Sequence, residues 1–224
     1  MRDLIDNILF DLDGTLTDPK EGIINSILFA LDKLGIKEQN IHELDTFIGP
    51  PLRESFAFRY NMTELQADKA VSYYREYYSV KGIFENKLYA GITQLLSFLS
   101  SSDYQLYVAT SKPTVYAVKI LKHFKLNSFF NGVTGSNLDN TRTDKTEVIS
   151  HVITEYSLDA NRTMMIGDRK HDIIGANNNL IKSLGVTYGY GSHEELSAYN
   201  PDFLSNSCSE IETLFREKPV SPAF

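Results

Sequence analysis

The protein has 224 residues, 42% hydrophobic and 23% charged, with 22 lysines and arginines against 29 aspartates and glutamates. Those proportions exclude long disorder, collagen-like repeats and coiled coil. A net charge of −7 leaves no basic excess to displace counterions from a phosphate backbone, so no nucleic-acid partner is expected, although a local positive site can still take one small phosphate.

Cys208 is the sole cysteine, which rules out an intramolecular disulfide, a CxxC redox pair and a thiolate zinc cage. Asp3, Asp6, Asp11 and Asp13 fall where a signal peptide would be apolar, and no run approaches the ~18 apolar residues of a membrane span. A cytoplasmic protein with no membrane partner is expected.

In chain order, Leu4–Asp11 reads as a buried strand halted by a turn at Asp13-Gly14. Ile23, Ile24, Ile27, Leu28, Leu31 and Leu34 recur at helical spacing, with Gly35 as a C-cap. Further helices are expected from about Ile41, from Pro51 and from Thr63. The rhythm then becomes strand and helix in alternation. Helices are expected at Gly91–Ser100, Thr114–Phe124, Asp144–Tyr156 and Lys170–Asn177, and strands at Gln105–Thr110, Phe129–Val133, Thr163–Ile166 and Ser183–Tyr188. A short strand near Phe203 and a helix from about Ser209 complete the chain. The pattern predicts an α/β fold: a Rossmann-like, mostly parallel sheet with helices on both faces, built from residues 1–16 and 83–224, with an all-helical cap inserted at 17–82.

Ligands of an open parallel sheet bind beyond the carboxyl ends of its strands. After the first strand come Asp11, Asp13, Gly14 and Thr15; after QLYVA come Thr110, Ser111 and Lys112; after TMMI come Gly167 and Asp168, with Asp172 four residues on. Lys145 precedes a crossover helix. If the strand continues through them, Asp11 and Asp13, at i and i+2, project from one face. Acids so gathered repel one another unless a hard cation is present, and oxygen-only ligation suits Mg²⁺. One carboxylate can then attack phosphorus while hydroxyls and a lysine bind the equatorial oxygens.

The string DLDGT, followed in order by Thr110, Lys145 and GDxxxD (Gly167–Asp172), resembles the haloacid-dehalogenase superfamily of phosphohydrolases, and the pattern is closest to its phosphoglycolate-phosphatase-like branch. The resemblance implies Asp11 as nucleophile and Asp13 as acid and then base. It implies Mg²⁺ on the Asp11 carboxylate, the Asp13 carbonyl and Asp168, with Asp172 in support. Thr110 and the Ser111 amide would hold phosphate, and Lys145 would neutralise Asp11 and the phosphoryl group. Lys112 follows the phosphate-binding pair directly. Arg53, in the cap segment FIGPPLRES, is the candidate reader of a second anionic group on the substrate. Asp172 alone also reads as a helix cap.

The expected activity is Mg²⁺-dependent hydrolysis of a small phosphorylated metabolite by a monomer or homodimer. A dehalogenase would not need the acid at Asp13, and a phosphonate hydrolase would need a cap lysine for a Schiff base that cannot be assigned. A 5′-nucleotidase or a sugar-phosphate mutase fits the same core. From another class, a phospho-accepting regulatory module also combines acids, hydroxyls, lysine and Mg²⁺, but its acceptor lies on a later strand.

Overall fold

The computed structural model of the chain describes residues 5–139 and 141–216. Leu4, the first residue of the expected opening strand, lies outside them. The elements in order are β1 (Asn7–Phe10), β2 (Thr17–Asp18), α1 (Lys20–Lys33), a 3₁₀ helix at Ile41–Phe47, α2 (Leu52–Tyr60), α3 (Glu64–Tyr78) and β3 (Lys87–Leu88). They continue with α4 (Ile92–Ser101), β4 (Gln105–Pro113), α5 (Thr114–His123), β5 (Gly132–Ser136) and α6 (Lys145–Glu155). The last are β6 (Thr163–Gly167), α7 (Lys170–Asn178), β7 (Lys182–Val186), α8 (His193–Ser197), β8 (Phe203–Ser205) and α9 (Cys208–Arg216).

These form two compact units, one of Thr17–Lys87 and one of the remaining described residues. In the second unit six strands form one sheet in the order β5-β4-β1-β6-β7-β8, and every pair is parallel. Parallel strands need helical crossovers, and helices on both faces make a central strand apolar on both sides. β1 meets that demand with Asn-Ile-Leu-Phe, all buried. Its register pairs Phe10 with Val108 on one side and Ile166 on the other, so β1, β4 and β6 deliver the residues that follow them to one level. Leu9, Tyr107, Ala109, Val148, Ile149, Val152, Met165 and Ala176 form one of the packed layers under that edge.

Several expected elements shift. The segment from Ile41 is a 3₁₀ helix, its turn tightened where the Thr46 hydroxyl donates to the Glu43 carbonyl at 2.7 Å. β4 runs on to Pro113 across a register shift between Ala109 and Pro113, so Ser111 and Lys112 lie in its irregular end. The strand expected at Phe129–Val133 sits at Gly132–Ser136 because Asn127–Phe129 coils into a 3₁₀ turn. The strand expected to reach Tyr188 ends at Val186, and the short helix α8, capped by the Ser192 hydroxyl on the Glu195 amide at 3.1 Å, was not anticipated. In the helical unit Thr63 caps α3 reciprocally with Gln66, as a capping box does.

Candidate active site

β1 ends at Phe10, so Asp11 and Asp13 lie in the turn beyond it and the two-residue alternation of a strand does not orient them. The turn is closed by the Thr15 and Leu16 amides on the Leu12 carbonyl, at 3.4 and 2.9 Å, with Gly14 at φ +88°. Asp11 is buried; its Oδ1 accepts from the Leu12 amide at 2.8 Å and lies 2.9 Å from the Lys145 ammonium. Lys145 opens α6 because Asp144 caps that helix on the Thr146 amide. Its Nζ also stands 2.8 Å from Asp172 Oδ1 and donates to the Ala109 carbonyl at 3.1 Å. Burial alone would lower this ammonium's pKa; Asp11 and Asp172 more than reverse that and hold it protonated.

Asp168 follows β6 and is fully buried. Its Oδ1 accepts from the Thr15 hydroxyl at 3.2 Å and its Oδ2 from the Tyr190 amide at 2.8 Å. Asp172 lies in the first turn of α7, where its Oδ2 accepts from the Arg169 amide at 3.0 Å, so it is a helix cap as well as the partner of Lys145. One carboxylate oxygen each from Asp11, Asp168 and Asp172 lies within 4.8 Å of the others. Burial, followed by the neighbouring acids, pushes the Asp168 carboxyl well above its usual range. Asp172 is also raised by burial and by Asp11, with Lys145 opposing.

Three buried acids with one lysine, which pairs with Asp11 and Asp172 only, are under-neutralised, and the donors are all oxygen, which fits a hard divalent cation. The glycines around them keep the space open. A Cβ at Gly14 would stand 2.2 Å from Asp168 Oδ2, and one at Gly167 would stand 2.1 Å from the Asp172 carboxyl carbon.

The Asp13 carboxylate does not join this trio. Its Oδ2 is 2.5 Å from the Lys112 ammonium, and its buried Oδ1 has no hydrogen-bond partner among the described residues. Burial raises its pKa, with Lys112 pulling the other way. Thr110 is buried at the end of regular β4, where its hydroxyl accepts from the Lys112 amide at 3.2 Å. The neighbouring Ser111 carbonyl accepts from the Ser136 hydroxyl at 2.8 Å. Asp11, Asp13, Thr110, Ser111, Lys112, Lys145, Asp168 and Asp172 thus all belong to one unit. Arg53 belongs to the other, on α2, where it donates to Asp68 at 2.7 and 3.2 Å and to Glu64 at 3.1 Å. The contribution of residues 188–190 was not anticipated; the run Tyr-Gly-Tyr-Gly after a strand was its one trace in the sequence.

The acid cluster beyond the central strands of a six-stranded parallel sheet, together with the family match and the phosphatase relatives, marks the protein as a phosphoric monoester hydrolase. The chain belongs to the haloacid dehalogenase-like hydrolases, whose family model matches residues 8–186. It is 47% identical over 208 residues to a 5′-nucleotidase of Pseudomonas aeruginosa, covering 93% of each chain. It is 36% identical to the tyrosine-protein kinase PtkA of Mycobacterium tuberculosis over 92% of this chain and 67% of that one. Among solved structures, a predicted phosphatase from Clostridium acetobutylicum is 45% identical with a TM-score of 0.90, covering 95% of this chain and 98% of that one.

Proposed function

We propose that the protein hydrolyses a small phosphomonoester with Mg²⁺ as cofactor, through an aspartyl-phosphate on Asp11. The observation that carries this is the Asp11 carboxylate, fixed against Lys145 at 2.9 Å within an acid trio of cation-binding size. Asp11, the Asp13 carbonyl and Asp168 would hold the ion, with Asp172 in support. When bound, the ion supplies positive charge against the acids and the phosphoryl oxygens.

Asp11 attacks phosphorus, the bond to the ester oxygen breaks, and Asp13 gives that oxygen its proton. Asp13 then takes a proton from the water that attacks the acyl-phosphate, releasing inorganic phosphate and restoring Asp11. The burial that raises Asp13 favours the protonated form that the first step requires. The Thr110 hydroxyl and the Ser111 amide hold phosphoryl oxygens, and Lys145 and Lys112 balance their charge. The helical unit Thr17–Lys87 acts as a cap that excludes water and reads the leaving group, with Arg53 as its anionic-group reader once freed from Asp68 and Glu64.

A nucleoside 5′-monophosphate is the favoured substrate, supported by the name of the P. aeruginosa relative and its 47% identity along nearly the whole chain. Phosphoglycolate and hexose phosphates are the competing classes. Steady-state turnover of p-nitrophenyl phosphate with Mg²⁺ is expected, and Asp11→Asn should lower it by on the order of 10³-fold or more without unfolding the protein. Substantial activity in folded Asp11→Asn would reassign the nucleophile. One equivalent of p-nitrophenol released per protein, with no inorganic phosphate and no further turnover, would replace hydrolysis by phospho-acceptance. A panel of the three phosphate classes then ranks the leaving groups.

A further inference from the structure

The loop after β7 takes no part in the proposed chemistry, yet it reaches across the neighbouring strand to the turn that carries Asp13. β1, β6 and β7 are consecutive in the sheet, so the end of β6, with Asp168, lies between the other two. At about 4.8 Å per strand, a group leaving β7 must span roughly 10 Å to reach the turn after β1. Tyr188 does so: its hydroxyl donates to the Thr15 carbonyl at 3.0 Å. The Thr15 hydroxyl returns to Asp168 Oδ1 at 3.2 Å, and the Tyr190 amide holds Asp168 Oδ2 at 2.8 Å. The contacts close a ring through three strand ends, with Asp168 gripped at both oxygens.

The ring is packed tightly. A Cβ on Gly189, between the two tyrosines, would stand 2.3 Å from the Gly14 carbonyl oxygen and 2.4 Å from Asp168 Cβ. The Tyr188 ring is held by the Tyr89 ring at 5.0 Å between centroids, and its hydroxyl lies 4.0 Å from Cys208 Sγ. Burial pushes the phenol pKa well above its usual value, so the hydroxyl stays a donor throughout the working pH range.

We propose that Tyr188 is a positioning residue for the cation site, fixing the Asp13–Thr15 turn and Asp168 relative to each other through the Thr15 carbonyl. The inference rests on the reading of Asp168 and the Asp13 carbonyl as ligands. Groups that orient metal ligands from behind typically change metal affinity or activity by about 10–100-fold when removed.

Mn²⁺ binding to the full chain, followed by electron paramagnetic resonance, tests this apart from catalysis. In Tyr188→Phe the Mn²⁺ affinity should fall by about 10–100-fold. The Mg²⁺ concentration for half-maximal p-nitrophenyl phosphate turnover should rise in parallel, while the metal-free Tm stays within about 4 °C of the parent. Thr15→Val, which keeps the side-chain shape but deletes the return bond to Asp168, should lose affinity to a similar extent and serves if the first variant does not fold. Unchanged Mn²⁺ affinity in a folded variant overturns the inference, whatever the turnover. Absence of Mn²⁺ binding by the parent protein would instead overturn the cation reading itself, and this inference with it.

Discussion

Lys145 faces two buried carboxylates, at 2.9 and 2.8 Å, and both depend on it when no cation is present. Removing one partner of a buried ion pair costs about 3–5 kcal/mol because the other charge is left uncompensated. Lys145→Met should therefore lose stability of that order in urea titrations with EDTA, and Mg²⁺ should restore part of it. The acids and Lys145 were legible as a motif because each follows or precedes a strand or helix at a fixed place. The pairing of Lys112 with Asp13 was not, since it depends on how β4 departs from regular register beyond Ala109. Arg53 was legible as a charge, but its engagement by Asp68 and Glu64 across two helices was not. Arg53→Ala should reduce activity on a substrate with a second anionic group far more than on an aryl phosphate; equal losses in kcat/KM would remove it from specificity.

Among elements, long periodic helices and apolar parallel strands were readable because burial on one face or two dictates their composition. What the sequence left unread was set by local hydrogen bonds: the 3₁₀ turn that displaces β5, the 3₁₀ character of the helix that does begin at Ile41, and α8. Within the helical unit, Glu38 ties the segment before that 3₁₀ helix to α2 by accepting from Arg59 at 2.9 Å and from the Tyr60 hydroxyl. The Arg59 guanidinium, with help from Tyr60 and against some burial, lowers the Glu38 pKa from 4.5 to about 2. A depressed carboxyl stabilises the fold above its unfolded pKa and loses that contribution as pH falls through the folded one. Glu38→Gln should therefore lower Tm at pH 6, and its difference from the parent should shrink between pH 4.5 and about 2. A gap constant with pH would show that the pair contributes packing rather than charge.

For the molecule as a whole, a cation held by the under-neutralised acid trio would link stability to cation concentration. An ion bound only by the folded state at a hundred times its Kd adds about 2.7 kcal/mol. Mg²⁺ should raise Tm in thermal scans, EDTA should reverse the rise, and Asp168→Asn should largely abolish the response. Among the described residues no helix is long and apolar enough to cross a membrane.

The place of β1 in the middle of the sheet, between β4 and β6, has a consequence for synthesis on the ribosome. β1 emerges before both of its neighbours, gaining the first only near residue 105 and the second near residue 163. This apolar strand has two bare edges before residue 105 and one until residue 163, exposed to wrong pairing. Nascent chains released before Thr163 should aggregate or bind chaperones, whereas those carried through Val186 have both flanks of β1 covered.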